Sequence, residues 1–504
     1  MNIALLLEMA AEAAPDRIGL VCDGKRWTYG DLLAAARGAF MLIQDSGADY
    51  VALLDESSEA AVIAVFGAAL AGVPYCPLNY RLPDGDLAAL LGRIAPALVI
   101  GDEERVLRIT GDGEAGDCGH TILSREEFTL KAQETVPGDD AREYDPGEGV
   151  AIQLFTSGTT AAPKAAILRH SNLLGYILGT VEFASADEAD AALVVVPPYH
   201  IAGISALLSS IYAQRKIVML PSFSPEGWLA LVQAEAITNA FVVPTMLARI
   251  VEAMEKGITG ETASLRAIAY GGGKMPLEVI HKALERFPSA GFTNAYGLTE
   301  TSSTIALLGP DEHREALASD DPKVRARLTS LGKPIPTVEI EIRGENGEVL
   351  PAGEPGEIYV RGEQVSGEYK EKSALDPEGW FPTRDAGYMD EDGYLFLSGR
   401  ADDVIVRGGE NMSPGEIEDV LLTHPAVVDA CACAIPSVEW GEAVGVAIVT
   451  RDGHDTPAEA ELKELVRSRL RSSRVPEKVA FVAELPYNEM GKLLRRKVKE
   501  VLAG

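Results

Sequence analysis

Leu154-Phe-Thr-Ser-Gly-Thr-Thr-Ala-Ala-Pro-Lys164, which continues an apolar run over residues 150–155, has the composition of a loop that binds phosphate. Its small residues let backbone N–H groups close around an anion, its hydroxyls add hydrogen-bond donors, and Lys164 adds a positive charge. Short motifs of this kind also occur in ordinary surface turns, so the loop alone leaves both interpretations open.

The loop differs from the common nucleotide-binding loop in the residues around its lysine. That loop needs a second Gly directly before the Lys and a Ser or Thr directly after it. Here Pro163 and Ala165 occupy these two positions. The stretch therefore binds phosphates in a different way or binds none, and the rest of the sequence has to decide between the two.

The chain is long and acidic. Its 504 residues predict about three folding units, or one large α/β body with an appendage. With 45 basic and 76 acidic residues the net charge is −31, which argues against a nucleic-acid or anionic-membrane surface. An anionic substrate would therefore need cations that are clustered locally.

Cysteine content and hydropathy indicate a cytoplasmic protein. The five cysteines are odd in number and lack the spacing of a disulfide framework, which suggests a reducing compartment. Cys431 and Cys433 lie in an alternating apolar run, so we interpret them as buried thiols and not as metal ligands. The N-terminus lacks the basic region of a signal peptide, and no apolar run is long enough to span a membrane.

Up to about residue 400, helical patterns alternate with short runs rich in Val, Ile and Ala. Such alternation predicts parallel sheets covered by helices on both faces, with the active loops at the carboxyl ends of the strands. The predicted helices include 31–40, 59–71 and 225–235, and the predicted strands include 50–54, 192–196, 240–243 and 267–270.

The pattern changes twice towards the C-terminus. From about residue 331, short strands at 338–342, 356–361 and 393–397 with Gly, Pro and Asn turns predict a small β-barrel. After Arg400 a compact α+β unit follows. The expected fold class is a large α/β N-terminal domain, with two parallel-type sheets and a small β-barrel, followed by a small α+β C-terminal domain.

Five polar clusters hold the candidate chemical residues. A flat ligand could approach the backbone of the glycine cluster, a carboxylate in the next cluster could hold Mg²⁺, and an Asp in the last could accept two ribose hydroxyls. Each cluster also has an ordinary interpretation, such as a structural His or a tight turn. The clusters are the loop at 154–164, Pro197-Pro-Tyr-His-Ile-Ala-Gly203, Tyr270-Gly-Gly-Gly-Lys-Met-Pro276, Asn294-Ala-Tyr-Gly-Leu-Thr-Glu-Thr301, and Trp380-Phe-Pro-Thr-Arg-Asp385 with Ser398-Gly-Arg-Ala-Asp-Asp-Val404.

In this order, the motifs resemble those of the adenylate-forming superfamily of acyl-CoA synthetases, adenylation domains and luciferases. The resemblance spans nearly the whole chain, and its details are most similar to the bacterial aryl- and fatty-acyl-CoA ligases. The matching stretches are Trp27-Thr-Tyr-Gly-Asp-Leu32, Thr156-Ser-Gly-Thr-Thr160, Tyr296-Gly-Leu-Thr-Glu300, Gly399-Arg-Ala-Asp-Asp403, Gly408-Gly-Glu-Asn411, Pro414-Gly-Glu-Ile-Glu418 and Gly491-Lys492.

The resemblance implies an enzyme that couples a carboxylic acid to ATP, giving acyl-AMP and pyrophosphate, and then passes the acyl group to the thiol of coenzyme A. Glu300 would bind Mg²⁺, Thr299 would contact the α-phosphate, and Lys492 would stabilise the charge that builds up at phosphorus. Asp385 would accept the ribose hydroxyls beside Arg400. The remaining ATP contacts are expected from Thr156, Ser157, Gly158, Thr159, Thr160 and Lys164 at the phosphates and from Gly271, Gly272, Gly273 and Tyr296 at adenine.

The resemblance also implies that the C-terminal domain is mobile. An N-terminal domain of residues 1–401 and a C-terminal domain of residues 402–504 would be hinged at Asp402. Rotation would carry Lys492 out of the site and bring in a glycine loop that leaves room for the pantetheine arm. The residues expected to bind coenzyme A are Gly408, Gly409, Trp440, Arg471, Arg474 and Lys478, the last three being ordinary surface cations in the alternative interpretation.

The acyl pocket is expected to be apolar. Amino-acid-activating relatives place an Asp directly after the aromatic residue of the second cluster, whereas Ile201 follows His200 here, and a buried ammonium would lack a partner. An aromatic, cyclic or medium-chain acid therefore fits best, with His200 as a gate beside its carboxylate. The expected lining is Ile201, Ala202, Gly203, Ile204, Val243, Thr245, Met246, Thr304 and Ile305.

The chain departs from the family pattern at three positions. Ala161 and Ala165 stand where the family usually has Gly, and Arg384 replaces a small residue before Asp385. The extra methyl groups restrict the loop, but no catalytic group is lost.

Two other functions stay open at this point. One is a stand-alone adenylation enzyme that delivers the acyl group to a carrier protein or an amine, and the other is an acyl-nucleotide sensor without catalysis. A homodimer is compatible with the sequence, and no nucleic-acid partner is expected.

Overall fold

A computed structural model describes residues 1–110, 119–136, 144–156, 163–400, 403–407, 410–488 and 493–503. The chain divides into two compact units. The predicted domain boundary between residues 401 and 402 lies outside the described residues and stays a prediction. The first unit consists of Met1–Leu328, Pro334–Glu339 and Arg361–Phe381, and the second of Thr329–Lys333, Ile340–Val360 and Pro382–Gly504.

Helices and strands alternate along most of the described chain. The helices are α1 (Ala4–Ala13), α2 (Tyr29–Ser46), α3 (Glu59–Ala71), α4 (Asp84–Gly92), α5 (Glu103–Thr110), α6 (Arg125–Glu134), α7 (His170–Thr180), α8 (Ile201–Tyr212), α9 (Pro225–Ala234), α10 (Pro244–Glu255), α11 (Leu277–Arg286), α12 (Pro310–Ala318), α13 (Pro322–Ala326), α14 (Pro414–Leu421), α15 (Glu459–Arg469) and α16 (Arg495–Ala503).

The strands are β1 (Ile18–Cys22), β2 (Lys25–Thr28), β3 (Tyr50–Leu54), β4 (Tyr75–Pro77), β5 (Ala97–Gly101), β6 (Thr121–Leu123), β7 (Val150–Thr156), β8 (Lys164–Arg169), β9 (Ala191–Val194), β10 (Lys216–Met219), β11 (Asn239–Val242), β12 (Ala267–Gly271), β13 (Gly291–Leu298), β14 (Ser303–Leu308), β15 (Lys333–Pro334), β16 (Val338–Arg343), β17 (Gly356–Gly362), β18 (Glu368–Tyr369), β19 (Phe381–Met389), β20 (Leu395–Arg400), β21 (Ile405–Arg407), β22 (Glu410–Met412), β23 (Val427–Ser437), β24 (Gly441–Thr450) and β25 (Lys478–Val482).

Two large sheets form the framework of the first unit. One has nine strands in the order β15-β14-β13-β12-β11-β9-β10-β1-β2, and the other has seven in the order β18-β8-β7-β4-β3-β5-β6. Pairing is parallel between β9, β10, β11, β12 and β13 and between β3, β4 and β5, as the Val- and Ile-rich strands predict. Antiparallel pairs lie towards the edges, as in β13 with β14 and β7 with β8.

Parallel pairing places the candidate loops of the nine-stranded sheet at one edge. His200 follows β9, Gly271 ends β12, and Glu300 follows β13 shortly after its last residue. The carboxyl ends of parallel neighbours meet at the same edge of a sheet. The sheet therefore brings clusters that are far apart in the sequence to the same edge.

Helix ends follow local signals. Helix α3 has the predicted bounds because Gly72 closes it with a left-handed φ of 69°. Helix α2 begins at Tyr29, before the predicted start at residue 31, because Thr28 caps it: the Thr28 hydroxyl accepts the Asp31 N–H, and the Asp31 carboxylate accepts the Thr28 N–H.

Two smaller sheets remain. One has four strands in the order β16-β17-β19-β20. The other has five strands: four lie in the order β22-β21-β24-β23, and the fifth, β25, pairs with β24. Strand β20 starts at Leu395, later than the predicted residue 393, because Asp390 organises the preceding turn. Its Oδ1 accepts the N–H groups of Asp392 and Tyr394 at 2.9 and 2.8 Å, and Gly393 has a left-handed φ of 83°.

The thiols of β23 are buried. Cys431 and Cys433 are both free and 0% and 1% exposed, and burial raises the pKa of Cys433 to about 11. In the described part of the chain, Cys22 and Cys76 are also free and buried. The interpretation of Cys431 and Cys433 as packing residues agrees with this burial.

A buried histidine joins two helices of the first unit. The Nδ1 atom of His170, at the start of α7, accepts the N–H of Ile3 at 3.2 Å, and the side chain is almost fully buried. Burial is the main cause that lowers the pKa of His170 from 6.5 to about 4. The ring is therefore neutral in the folded protein at neutral pH.

This neutral ring predicts a pH dependence of stability. Between pH 4 and 6.5 the unfolded state binds the His170 proton and the folded state does not, so the stabilisation is complete above pH 6.5 and is lost as the pH falls towards 4. We expect His170→Asn to reduce the slope of unfolding free energy against pH in this interval, by at most about 1.4 kcal/mol per pH unit. Urea unfolding of both proteins at several pH values measures the slope, and equal slopes would contradict the assignment.

Candidate active site

The phosphate-loop residues are carried by an antiparallel strand pair. Thr156 ends β7, Lys164 begins β8, and the two residues face each other in the register. The Lys164 side chain is exposed, and its Nζ lies 5.3 Å from the centre of the Tyr369 ring. The predicted contacts Ser157, Gly158, Thr159 and Thr160, like Ala161, lie outside the described residues.

Glu300 lies in a short 3₁₀ turn, Thr299–Thr301, and is 9% exposed. Its Oε1 accepts the hydroxyl of Tyr369 at 2.6 Å. Its backbone carbonyl accepts the N–H groups of Ser366 and Gly367 at 2.9 and 3.1 Å. The candidate metal carboxylate is therefore fixed at both its side chain and its backbone.

Gln364 stabilises the same turn through hydrogen bonds to its backbone. Its side-chain amide donates to the carbonyls of Thr301 and Thr304 at 3.0 and 2.8 Å, and it is fully buried. The hydroxyl of Thr301 accepts the Leu298 N–H at 2.9 Å, closing the turn before Glu300. Neither Gln364 nor Tyr369 was expected from the sequence, because neither lies in a recognisable motif or a long periodic element.

Close backbone contacts explain the glycines of two clusters. A Cβ at Gly271 would lie 2.2 Å from the carbonyl oxygen of Ala295, and one at Gly297 would lie 1.8 Å from that of Ser303. Gly272 has a left-handed φ of 81°. These glycines are thus required for packing, whatever ligand the backbone also meets, while Tyr296 sits half-buried on β13 beside them.

His200 is the residue directly before α8. Its ring centre lies 4.6 Å from that of Tyr199, which in turn makes an edge contact at 5.7 Å with Tyr80. Burial, assisted by the charge of Arg81, lowers the pKa of His200 to about 4. The imidazole is therefore neutral at pH 7.

The predicted acyl residues lie on three elements of the first unit. Ile201 to Ile204 form the first turn of α8, Val243 to Met246 the start of α10, and Thr304 and Ile305 lie on β14. Ser205 on α8 reaches β14 through a 3.0 Å hydrogen bond between its Oγ and that of Ser303. Ile204, Val243, Met246 and Ile305 are buried.

A cavity of about 30 Å³ lies behind α8, and it includes two of the predicted acyl residues. The Tyr75 hydroxyl in its wall is buried and makes no hydrogen bond to another described residue. The lining is Ser57, Ala61, Val65, Tyr75, Val194, Val196, Pro198, Gly203, Ile204, Leu207 and Met219.

In the second unit, Asp385 on β19 faces Arg400 on β20 in the strand register. The Asp385 side chain is 8% exposed, and its Oδ1 accepts from Nη1 of Arg400 at 2.7 Å. The Asp385 N–H donates to the Thr383 hydroxyl at 3.1 Å. The predicted Asp–Arg pair is thus formed directly.

Arg384, one of the departures from the family pattern, has a φ of 62°. This left-handed region is one that glycine adopts without strain and that costs other residues free energy. The Arg384 N–H donates to Glu357 Oε1 at 3.2 Å. A glycine would therefore fit this backbone conformation better than Arg does.

The predicted coenzyme A residues that are described lie at different positions of the second unit. Trp440 is 43% exposed between β23 and β24, and the guanidinium of Arg407 lies 5.6 Å from its ring centre. Arg474 is paired with Glu416 at 2.9 Å. Arg471 and Lys478 are exposed, whereas Gly408 and Gly409 lie outside the described residues.

The start of α16 is anchored by a buried ion pair. Both terminal nitrogens of Arg495 donate to the Glu418 carboxylate, and Nη1 also donates to the carbonyl of Ala432 at 2.6 Å. Asp403 lies 3.5 Å from the same guanidinium. Lys492 and the predicted hinge residue Asp402 lie outside the described residues. In the sequence, Arg495 follows Lys492 by three positions and Asp403 directly follows Asp402.

No helix in the described segments is long and apolar enough to cross a bilayer.

Two families of known proteins match the chain. AMP-binding enzymes match residues 7–370, and the C-terminal domain of AMP-binding enzymes matches residues 416–492. The 2-succinylbenzoate–CoA ligase of Geobacillus kaustophilus (strain HTA426) is 32% identical over 504 residues, covering 98% of this chain and 97% of that protein.

Solved structures are similar over the same length. The o-succinylbenzoate CoA synthetase of Bacillus subtilis in complex with its acyl-adenylate OSB-AMP has a TM-score of 0.82 at 29% identity, covering 98% of this chain and 97% of that one. The same enzyme with ATP and magnesium ion has a TM-score of 0.81 at 29% identity, covering 98% and 99%. ATP-bound MatB from Rhodopseudomonas palustris has a TM-score of 0.86 at 26% identity, covering 99% of both chains.

The chain belongs to the AMP-binding enzyme family. Membership of the adenylate-forming superfamily and the predicted fold class are thereby confirmed. The predicted reaction class is confirmed as well: this is an ATP-dependent, AMP-forming acid:CoA ligase that works through an acyl-adenylate and uses ATP, Mg²⁺ and coenzyme A.

Gly297→Ala tests whether the close contact at Ser303 holds Glu300 in place. Because the new Cβ would overlap the Ser303 carbonyl, we expect a loss of about 1–3 kcal/mol in unfolding free energy and a slower adenylation step. Gly85→Ala in α4 is the matched control, since a Cβ at this position would meet nothing within 4 Å and Ala favours a helix by up to about 1 kcal/mol. Urea unfolding and pyrophosphate release measure both effects, and similar behaviour of the two variants would contradict the packing argument.

Proposed function

We propose that this ligase activates an aromatic acid of the 2-succinylbenzoate kind. The apolar character of the predicted acyl lining carries the proposal: Ile201 replaces the Asp that an amino-acid substrate would need, and Ile204 and Ile305 are buried. The similarity to 2-succinylbenzoate–CoA ligases over nearly the full length supports the same class of acid. A cyclic or medium-chain acid is the alternative substrate.

Several elements carry the residues that are proposed to contact ATP. Thr156 and Lys164 would contact the departing pyrophosphate, with the loop 157–162 between them. Gly271 to Gly273 and Tyr296 would contact adenine, because Gly272 and Gly273 are exposed and carry no side chain that would block a flat ring. Asp385, held by Arg400, would accept the ribose hydroxyls.

Glu300 is suited to hold Mg²⁺. A buried carboxylate oxygen is a hard ligand, and Mg²⁺ takes few protein ligands and completes its shell with phosphate oxygens and water. The bound ion would neutralise charge on the phosphates. Thr299, adjacent in the same turn, would donate to the α-phosphate.

His200 is proposed to act as a gate beside the acyl carboxylate. Its neutral ring suits this role, because the acid arrives ionised and needs no proton from the enzyme. Lys492 would instead provide the positive charge at phosphorus during attack by the carboxylate.

The C-terminal residues are proposed to serve the second half-reaction. Rotation about Asp402 would replace Lys492 by the glycine loop at 408–409. Trp440 would stack on the adenine of coenzyme A, and its exposed ring is consistent with this role. Arg471, Arg474 and Lys478 are the candidates for its phosphates, and of these Arg474 forms an ion pair with Glu416 at 2.9 Å.

We also propose a cytoplasmic enzyme without a nucleic-acid partner. The net charge of −31 would repel a phosphate backbone, and the buried reduced thiols suit a reducing compartment. A homodimer is compatible with this proposal.

Pyrophosphate release across a panel of acids tests the substrate. We expect 2-succinylbenzoate to give the highest kcat/KM, above benzoate and octanoate, with alanine at background because its ammonium would be unpaired. Each assay is run with and without coenzyme A, and the thioester is quantified by chromatography. A faster reaction with octanoate would overturn the aromatic assignment, whereas pyrophosphate release without thioester would favour a carrier protein or amine as acceptor.

Lys492→Ala tests whether Lys492 is needed for adenylation but not for thioester formation. Loss of the charge at phosphorus should reduce adenylation by about 10²- to 10³-fold, while thioester formation from supplied acyl-AMP stays near the wild-type rate. Single-turnover assays of each half-reaction separate the two. An equal loss in both would contradict the proposed exchange of residues.

A further inference from the structure

We infer that Tyr369 is a positioning residue for adenylation. Its hydroxyl orients the Glu300 carboxylate, and its ring holds the Lys164 ammonium in place. The inference rests on the proposed roles of Glu300 and Lys164. It adds a residue outside the motifs from which those roles were assigned.

The hydroxyl contact fixes the carboxylate. The Tyr369 Oη donates to Glu300 Oε1 at 2.6 Å, which is a short hydrogen bond. Glu300 is 9% exposed, so few water molecules can compete for this oxygen. The bond holds the carboxylate in one orientation before any cation arrives, as second-layer partners of metal ligands do.

The ring contact fixes the cation. Lys164 Nζ lies 5.3 Å from the centre of the Tyr369 ring, within the range of a cation–π interaction. The lysine side chain is exposed and long, and without such a contact it would sample many rotamers. A neutral ring holds the ammonium weakly enough for a phosphate to draw it away.

The backbone of the same segment joins the two strands concerned. Residues 368–369 pair antiparallel with β8, with Tyr369 opposite Ala166, and the Lys370 N–H donates to the Ala165 carbonyl at 2.9 Å. On the other side, Ser366 and Gly367 donate to the Glu300 carbonyl. Tyr369 therefore belongs to a short clamp, residues 366–370, between the strand that carries Lys164 and the turn that carries Glu300.

A side-chain ion pair strengthens this clamp independently of Tyr369. Arg169 on β8 donates to both carboxylate oxygens of Glu368 at 2.8 Å. Removal of the Tyr369 hydroxyl should thus leave the fold of the segment intact. A purely structural tyrosine would affect stability, whereas a positioning tyrosine affects the response to Mg²⁺.

Tyr369→Phe and Tyr369→Leu separate the two contacts. The Phe variant keeps the ring, so ATP binding without Mg²⁺ should stay within about twofold of wild type, while the Mg²⁺ concentration for half-maximal strengthening of ATP binding should rise about 10- to 100-fold. The Leu variant should show the same Mg²⁺ effect and, in addition, about two- to fivefold weaker ATP binding without Mg²⁺. Titration calorimetry with ATP at graded Mg²⁺ measures both quantities.

Tyr388→Phe is the matched control. Tyr388 is half-buried, its ring is stacked on Phe396 at 5.0 Å, and it lies outside the proposed site. Removal of its hydroxyl should therefore leave unchanged both the affinity for ATP without Mg²⁺ and the Mg²⁺ concentration for half-maximal strengthening of ATP binding. Thioester formation from supplied acyl-AMP should also be unchanged in Tyr369→Phe, since that step needs no β- or γ-phosphate.

A shift below twofold in the Mg²⁺ dependence of Tyr369→Phe would overturn the inference. So would equal losses in both half-reactions accompanied by a lower melting temperature, because they would indicate a structural role. The calorimetric test needs no acid, and it therefore stands even if the substrate panel refutes the proposed acid. If wild-type ATP binding shows no Mg²⁺ dependence, the proposed role of Glu300 is refuted first.

Discussion

Close backbone packing at the carboxyl edge of the nine-stranded sheet is the constraint on which the Glu300 region depends. β12, β13 and β14 approach so closely that neither Gly271 nor Gly297 can accept a Cβ without overlap. This approach forces the chain to turn sharply after β13, with Ser302 and Ser303 at φ values of 55° and 142°. The turn places a carboxylate in a nearly dry position, and the rest of the first unit provides its partners.

Electrostatics in the site are local, in contrast to the charge of the whole chain. A net charge of −31 would repel a nucleotide at long range. Among the residues that the structure describes, Lys164 contacts an aromatic ring and forms no ion pair with a carboxylate, so its positive charge is not neutralised by them. His200 is kept neutral by burial, so it adds no positive charge to its surroundings at neutral pH.

Much of the fold could be predicted from the sequence because its signals are local. The strand at residues 50–54 and the helix at 59–71 have their predicted bounds, since an apolar run and a Gly stop define them. The start of β20 was wrong by two residues, because side-chain hydrogen bonds of Asp390 extend the turn. The two-residue strand β18 was missed because pairing with β8, and not its own pattern, makes it a strand.

The same limit applies to the candidate site. Motif residues such as Glu300 and Asp385 could be named in advance, because the chemistry depends on their type and order. Tyr369 and Gln364 could not, because their importance comes from contacts with residues about 60 positions or more away in the sequence. For Arg384, the sequence indicated an unusual residue, and only the backbone shows that it occupies a conformation suited to Gly.

The clamp at residues 366–370 also gives the enzyme a natural reporter. Its amide hydrogens at Ser366 and Gly367 are bonded to the Glu300 turn, and that of Lys370 is bonded to the strand of Lys164. We expect so short a segment to open as one unit, so that these amides exchange with solvent deuterium together. Their exchange rate therefore measures how much of the time the clamp joins the Glu300 turn to the strand of Lys164.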